Sequence, residues 1–442
     1  MINIISDVSR YFMILFMAFY TYLNFRYFSF KDEIKKDRLL KRQNIFMLLN
    51  QLLAYLILWI ETKDEKILSF YVVQVSFFVG YLFLYRLFYR YRSGLLINNQ
   101  CMLLSIGFIM LSRLSFDRAL KQFVIVVAAT LVTWLIPFII DRVWQFSKIP
   151  WVYGIGGMIL LFLVFLIGTS SYGAQLSLNA YGFSFQPMEF VKISYVFFIS
   201  SMFYRSTNRK TVLTVSGISA LHVLILVFSK DLGSALIFFV TYVFMLFVAT
   251  EQWRYLVGGV SMGALGSFFA YKIFYHVRTR VTAWLNPWSD IAGKGYQVTQ
   301  SLFAIGTGGW FGMGLYRGMP GKIPVVEKDF IFSAIAEELG GIYALCILLL
   351  FVGLFLQFVI IAGKMQAMFY KLIAFGLAII YGLQVFLNIG GVIKFIPSTG
   401  VTLPLVSYGG SSILSTLITF GIVQGLFILK RKEEEEDRYE CE

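Results

Sequence analysis

The sequence predicts an all-α polytopic membrane protein, and its composition and hydropathy support that fold class. Hydrophobic residues make up 58% of the 442 residues and charged residues only 14%, and the mean hydropathy is +0.75. Soluble domains carry about 45–50% apolar and about 25% charged residues, so a conventional soluble enzyme and a disordered chain are both excluded. A membrane helix needs about 20 mostly apolar residues, and roughly thirteen such runs follow one another along this chain.

These apolar runs are the predicted membrane spans, and their positions leave one long loop between the tenth and the eleventh. In chain order we expect them near residues 11–25, 45–60, 67–87, 101–114, 123–140, 152–168, 188–204, 212–228, 232–248, 256–274, 330–361, 368–393 and 405–429. The long loop between the tenth and the eleventh span covers residues 275–329. Its aromatic content indicates an ordered, functional loop, although it shows no obvious long elements of its own.

Basic residues predict the orientation of the spans. The net charge of +14 lies mostly in short loops beside apolar runs, which is the pattern that places a loop in the cytoplasm. Seven Lys and Arg residues between positions 26 and 42 therefore predict a cytoplasmic first loop. The N-terminus is then outside and the C-terminus inside the cytoplasmic membrane. The sequence contains no nucleic-acid-binding motif, and residues 433–442 read as an acidic, solvated cytoplasmic tail.

Two short segments place charge at the edge of a span. Pro187 suits the first turn of a helix, which puts Glu189 and Lys192 three residues apart on one face. Ionisable residues inside a span are costly and usually functional, but a structural ion pair is an equally good reading of this spacing. Asp231 precedes an apolar run and suits a helix N-cap, and it would lie on the outer side near the level of Glu189.

The long loop concentrates polar and charged candidates. It contains Arg278 and Arg280 near its start and Lys328 and Asp329 at its end, with a glycine-rich stretch over residues 306–314. That stretch is not a phosphate-binding Walker loop, because no Gly-Lys-Ser/Thr follows it. A second small-residue segment includes Ser407 and lies at the start of the last predicted span. It lacks the Gly-x-Ser-x-Gly pattern of a hydrolase, so close helix packing is the simpler reading.

An ordered set of motifs resembles the SEDS family of polytopic glycosyltransferases, which includes RodA, FtsW and SpoVE. The motifs match in order and spacing over roughly residues 98–430, and the whole set is far more specific than any single motif. They are Phe-Gln-Pro-Met-Glu-Phe-Val-Lys at 185–192, Asp-Leu-Gly at 231–233, Gly-Tyr-Gln at 295–297 with Gln300-Ser301, Asp-Phe-Ile-Phe at 329–332, Ala-Glu-Glu-Leu-Gly at 336–340 and Leu-Pro-Leu-Val-Ser-Tyr-Gly-Gly-Ser at 403–411.

The resemblance implies a SEDS-type ten-helix core over residues 98–432, preceded by an extension of about three transmembrane helices over 1–97. It implies an enzyme that polymerises lipid II into peptidoglycan glycan strands at the outer membrane face, in elongation, division or sporulation. Asp329 falls on the catalytic aspartate of the family. The substrate-binding candidates are Glu189, Lys192, Asp231, Arg278, Arg280, Gln297, Gln300, Lys328, Ser407 and Ser411.

The residues before Asp329 depart from the family pattern. Members commonly have Glu, His and Thr where this chain has Val325, Glu327 and Lys328. The aspartate is retained, but its usual neighbours are not, so the departure bears on substrate preference and rate. The resemblance further implies a class B penicillin-binding protein as a membrane partner.

The chemistry of glycan polymerisation assigns roles to these residues. Asp329 is a plausible base for a sugar hydroxyl, and Lys192, Arg278, Arg280 and Lys328 carry positive charge for a departing diphosphate. A divalent cation such as Mg²⁺ could share that task, but no ligand cluster in the sequence establishes one. Two alternatives stay open: a lipid II flippase, which the intramembrane charges fit equally well, and a noncatalytic membrane scaffold for a transpeptidase.

Overall fold

The computed structural model describes residues 2–140, 143–171, 174–180 and 183–440, and most of them are helical. The helices of the first part are α1 (Ile2–Ser29), α2 (Glu33–Thr62), α3 (Glu65–Phe88), α4 (Gly94–Leu114), α5 (Phe116–Thr133), α6 (Ile136–Ile140) and α7 (Pro150–Ile167). A 3₁₀ helix over Val143–Lys148 precedes α7. Three short strands follow it: β1 (Thr169–Ser171), β2 (Ala174–Ala180) and β3 (Phe183–Phe185).

The second part of the chain contains ten further helices and two 3₁₀ turns, at Pro287–Asp290 and Pro320–Lys322. The helices are α8 (Met188–Arg205), α9 (Arg209–Phe228), α10 (Leu232–Thr250), α11 (Trp253–Ile273), α12 (Tyr275–Leu285), α13 (Tyr296–Gly308), α14 (Ile331–Leu339), α15 (Gly341–Lys364), α16 (Met368–Val392) and α17 (Gly410–Glu440). The predicted acidic tail continues α17, and its last two residues lie outside the described part of the chain.

The described residues include eleven helices that are long and apolar enough to cross a membrane, counting α5 and α6 as one. With α1 and α8, thirteen separate helices have at least 18 residues, as the apolar runs predict. The all-α polytopic fold class is therefore confirmed. Helix α8 contains three charged residues, Glu189, Lys192 and Arg205. The division of the chain at residues 97 and 98 stays a prediction.

Three details of the long loop and its surroundings differ from expectation. The loop does contain helices, because α12 and α13 lie within residues 275–329. The expected single span over 330–361 is two helices that meet at Gly340, where φ is +92°. A Cβ on Gly340 would lie 2.4 Å from the backbone nitrogen of Gly312, so only glycine fits this crossing. The antiparallel sheet in the order β1-β2-β3 was not expected either.

The first three helices are attached to the core by buried amides. Three consecutive residues of α4 each contact a different helix. Asn98 donates to Gln43 of α2 at 3.2 Å, Asn99 donates to Asn24 of α1 at 2.6 Å, and Gln100 donates to Tyr81 of α3 at 2.9 Å. Helix α4 is almost enclosed, since 94% of its apolar stretch is buried. Polar side chains between membrane helices act in this way as specific contacts.

Helix α1 also reaches the long loop. The guanidinium of Arg10 donates a 2.8 Å hydrogen bond to the carbonyl oxygen of Gly312, and the rings of Tyr11 and Phe311 lie 5.6 Å apart. The backbone nitrogens of Met313 and Gly314 in turn donate to the carbonyl oxygens of Glu337 and Glu338 at 2.9 Å. The loop is therefore held between α1 and α14, the helix that begins two residues after Asp329.

Candidate active site

Asp329 lies at the edge of a small, open depression. The depression is bounded by three segments, which are the end of the long loop, the C-terminal part of α16 and the chain between α16 and α17. Its lining consists of Asp329, Phe330, Leu387, Asn388, Gly391, Val392, Ser398, Thr399, Gly400 and Val401. Asp329 itself is half-buried, whereas Phe330 beside it is fully buried. The carboxyl group therefore borders a site that a ligand can enter.

The backbone around Asp329 is fixed from two sides. Asn388 donates from its amide nitrogen to the carbonyl oxygen of Asp329 at 3.0 Å and to that of Val401 at 2.6 Å. On the other side, the hydroxyl of Ser407 donates to the carbonyl oxygen of Lys328, and the Tyr408 nitrogen donates to that of Glu327 at 2.7 Å. The Ser407 segment thus positions the chain that bears the carboxylate.

The surroundings of Asp329 change its acidity. Burial raises the pKa of this carboxyl from its ordinary value of 3.8 to about 6, although the positive charges of Lys328 and Arg280 act in the opposite direction. Glu327 raises the pKa further by like-charge repulsion, and it forms an ion pair with Arg118. A carboxyl with a pKa near 6 is ionised at neutral pH and is a stronger base than an exposed aspartate.

Arg280 is the cation that the fold brings into the site. It lies on α12, and its guanidinium donates to the carbonyl oxygen of Ser398 at 3.2 Å. A Cβ built on Gly400 would lie 3.6 Å from Asp329 Oδ2 and 3.9 Å from Arg280 Nη2, so carboxylate and guanidinium flank the same small space. Arg278, two residues earlier on α12, is exposed. Its positive charge therefore acts on the site only from the solvent-exposed surface.

Asp231 lies beside this space, at the start of α10. Its carboxylate accepts hydrogen bonds from the backbone nitrogen of Ser234 at 3.1 Å and from the Ser234 hydroxyl at 2.6 Å, as the predicted N-cap requires. Burial raises the pKa of this carboxyl, and the bonds from Ser234 and the charge of Arg280 partly offset that rise. Gly233 packs closely on Thr399 and Val401, which joins α10 to the lining of the depression.

Glu189 and Lys192 form an ion pair of 2.8 Å inside the bundle, as their spacing on α8 predicts. Both side chains are almost completely buried. The hydroxyl of Ser415 donates to Glu189 at 2.8 Å, and Lys192 donates to the side-chain oxygen of Gln384 at 3.0 Å. The pair does not line the depression, but Gln384 links it to the segment that does.

The other predicted site residues lie around this centre. Gln297 and Gln300 are half-buried on α13, whose Ser301 bonds to Ser333 and to the carbonyl oxygen of Val392 in the wall of the depression. Ser411 accepts a 3.0 Å hydrogen bond from the backbone nitrogen of Gln186, next to Pro187. Their roles in substrate binding stay predictions, as does that of Ser407.

Sequence reasoning missed Asn388 and Gln384. Asn388 and Gln384 are single polar residues one helical turn apart in the apolar run that forms α16. Polar residues inside a membrane span are unusual, so the sequence could have indicated Gln384 and Asn388 as candidate site residues. The divalent cation stays a prediction, and among the described residues no group of three or more His, Cys, Asp or Glu side chains comes together. Arg280 and Lys328 also make the space beside Asp329 unfavourable for a cation.

Comparisons with known proteins match this architecture. Residues 94–432 fit the model of a family named for FtsW, RodA and SpoVE and described as a cell cycle protein. The peptidoglycan glycosyltransferase RodA of Mycobacterium tuberculosis is 34% identical over 298 residues, which are 63% of this chain and 64% of that protein. The probable peptidoglycan glycosyltransferase FtsW of Geobacter sulfurreducens is 34% identical over 294 residues, 64% of this chain and 78% of that protein.

Solved structures show the same fold. A chain of a peptidoglycan synthase complex, studied for its coordination of polymerization and crosslinking, superposes with a TM-score of 0.64 and 26% identity. It matches 77% of this chain and 98% of that one. The rod shape determining protein RodA of Thermus thermophilus superposes with a TM-score of 0.58 and 25% identity, over 77% of this chain and 97% of that one. The match spans 64% of the RodA proteins of Mycobacterium bovis and Mycobacterium tuberculosis, a little less than two thirds of their length.

Proposed function

The chain belongs to the family of the FtsW, RodA and SpoVE cell cycle proteins, and from this premise we propose that it is a peptidoglycan glycosyltransferase. Its substrate is lipid II, which serves as both glycosyl donor and acceptor. The observation that carries the proposal is the half-buried Asp329, with a pKa near 6, facing Arg280 across an open depression.

The proposed reaction forms one glycosidic bond and releases one lipid diphosphate. A hydroxyl oxygen of the acceptor sugar attacks the anomeric carbon of the donor, while Asp329 takes the hydroxyl proton. The bond between the anomeric carbon and the diphosphate oxygen breaks, and the diphosphate leaves with the electron pair. Arg280 and Lys328 stabilise its developing charge, which is often the largest catalytic contribution. A positioned base adds typically about 10²–10⁴-fold.

The reaction takes place on the outer face of the bacterial cytoplasmic membrane, with the N-terminus outside and the C-terminus inside. The distribution of Lys and Arg supports this orientation. Contacts support the relative sides as well. Arg10 near the start of α1 meets the long loop, whereas Arg431 near the end of α17 pairs with Glu33 at 2.7 Å, at the opposite end of α1.

We propose a class B penicillin-binding protein as the membrane partner. The match to a chain from a complex that combines polymerization and crosslinking supports this assignment. In the proposed arrangement the polymerase supplies glycan strands that the partner crosslinks.

Two other functions make different predictions. A lipid II flippase uses the buried charges of Glu189 and Lys192 but gives no role to a carboxylate at the end of an outer loop. A noncatalytic scaffold gives a role to neither. The altered residues before Asp329, including Glu327 and Lys328, are the feature that favours a scaffold.

The decisive experiment replaces Asp329 with Asn in the purified protein and measures glycan polymer formed from lipid II. We expect a loss of at least about 100-fold, because the base is removed. Asp290→Asn is the matched control, since Asp290 is an exposed aspartate of the same loop. Polymer made at the wild-type rate by Asp329→Asn would remove the catalytic role. Transbilayer movement of labelled lipid II in vesicles then tests the flippase.

A further inference from the structure

Two oxygen atoms at the depression have no hydrogen-bond partner among the protein atoms that the structure describes. They are Oδ1 of Asn388 and Oγ1 of Thr399, and both residues line the same depression as Asp329. Asn388 is only 4% exposed, so its oxygen is removed from water as well as from protein donors. An unsatisfied buried polar atom costs about 1–3 kcal/mol, so a ligand that bonds to these two atoms beside the candidate base would be stabilised.

The hydrogen bonds of Asn388 determine what can satisfy it. Both of its amide hydrogens are used, since the nitrogen donates to the carbonyl oxygens of Asp329 and Val401. Rotating the amide by 180° would bring Oδ1 against these two oxygens, so the observed orientation is the stable one. The atom that remains is an acceptor only, and its partner must therefore be a donor. Thr399 offers a hydroxyl, which can donate or accept.

The charge around the depression decides whether a metal cation or a hydroxyl group satisfies these oxygen atoms. A metal cation would satisfy oxygen ligands, but Arg280 lies at the rim and bonds to Ser398, and Lys328 contributes a second positive charge. Both disfavour a cation at short range. A neutral hydroxyl carries no such penalty, and it can donate to Asn388 while it accepts from Thr399. A sugar presents several hydroxyls on adjacent ring carbons, one of which is the attacking group in the proposed reaction.

We propose that Asn388 and Thr399 form a subsite for the acceptor sugar, and that they bind a hydroxyl group next to the one that Asp329 deprotonates. This inference rests on the proposed function for the identity of the sugar. In this arrangement Asn388 has two tasks, because the amide that holds the backbone of Asp329 also positions the acceptor. Binding the neighbouring hydroxyl fixes the rotation of the sugar ring, which directs the attacking oxygen toward Asp329.

The test is a cycle that combines a protein change with a substrate change. Thr399→Val removes the hydroxyl at nearly constant volume, and Thr399→Ser is the matched control that retains it. The ligands are fluorescent lipid II and analogues in which one hydroxyl beside the attacking group of the acceptor sugar is replaced by hydrogen. Affinity in detergent micelles is measured for each pair, with thermal unfolding as a check on folding.

For one analogue, we expect wild-type affinity to fall roughly tenfold, as a lost hydrogen bond at a desolvated site predicts. Thr399→Val should bind lipid II roughly tenfold more weakly than the wild type does. It should bind that analogue with the same affinity as it binds lipid II. Thr399→Ser should resemble the wild type with both ligands. If the loss from Thr399→Val and the loss from the missing hydroxyl multiply for every analogue, the subsite is overturned. Independent losses of affinity mean that Thr399 does not contact the hydroxyl that was removed. A wild-type protein that binds lipid II but forms no polymer would overturn the proposed function. The affinities in this cycle could still be measured, so the subsite would be tested separately.

Discussion

Lys192 on α8 and Gln384 on α16 share a 3.0 Å hydrogen bond in the interior of the bundle. The amide nitrogen of Gln384 donates in turn to the carbonyl oxygen of Thr402 at 3.3 Å. Thr402 follows the segment of Thr399, Gly400 and Val401 that lines the depression. The buried ion pair of α8 is thus connected to the candidate active site through a single side chain.

We therefore expect Gln384→Leu to reduce polymerisation by roughly tenfold, because the substitution removes the hydrogen bond from Lys192 and the one that the Thr402 carbonyl accepts, while the ion pair of Lys192 with Glu189 remains. Gln357→Leu is the matched control. Gln357 is a buried glutamine of the adjacent helix α15 that bonds to Ser93 at 2.5 Å, away from the depression. Both variants should lower the melting temperature, but only Gln384→Leu should lower kcat. Equal kcat in the two variants would contradict the connection.

The pKa of Asp329 predicts an acid limit for the reaction. A base with a pKa of about 6 is lost below that pH, so kcat/KM should fall tenfold per pH unit under acid conditions. Lys328→Gln removes a charge that lowers this pKa, so the limit should move to higher pH. Lys322→Gln, an exposed lysine in the same loop, should leave it in place. A pH–rate profile that is the same for all three proteins would argue against Asp329 as the base.

The same pKa makes a prediction about stability. Since the folded pKa of Asp329 lies above its ordinary value of 3.8, the folded state holds more protons than the unfolded state between these two values. The ionised carboxylate therefore reduces stability at neutral pH, and the folded state gains stability as the pH falls through 6. Asp329→Asn should melt at the wild-type temperature or above it. A lower melting temperature would show that lost activity reflects damage to the fold.

Gly400 controls access to the space between Asp329 and Arg280. Gly400→Ala should reduce polymerisation at least tenfold, because the added methyl would lie within 4 Å of both charged groups. The backbone at Gly400 has φ of +76°, so alanine also adds strain of about 1–2 kcal/mol. Gly309→Ala is a stringent control for backbone strain, because its ψ of −150° puts Gly309 in a region that is essentially restricted to glycine. Gly309 also has a positive φ, of +55°, but open space where its Cβ would lie. Equal activity of these two variants would refute a steric role for Gly400.

Arg10 should influence the long loop from a distance. Arg10→Ala removes the hydrogen bond to Gly312, and we expect faster hydrogen exchange at the amides of Met313 and Gly314, by roughly fivefold. Arg26→Ala is the control on the same helix, since Arg26 bonds to Tyr22 instead. Unchanged exchange in Arg10→Ala would show that α1 does not hold the loop.

Hydropathy predicts the helices of this chain well, since each span is a local property of about 20 residues. The end of the long loop is also predictable, because Asp329 lies in a recognisable motif. The choice between Arg278 and Arg280 is not, since it depends on α12, an amphipathic helix too short and polar to be recognised as an element. Asn388 and Thr399 reach Asp329 only when α16 packs beside α14, and a contact across some 60 residues leaves no local pattern.

Three consecutive amide side chains on α4 make the core of the chain dependent on the first three helices during evolution. Asn98, Asn99 and Gln100 each bond to a different one of the first three helices, so loss of those helices would expose all three side chains to lipid. Relatives that descend without this extension should therefore carry apolar residues at these positions. A gene truncated before α4 without such replacements should yield a protein that is degraded or aggregates before it can act.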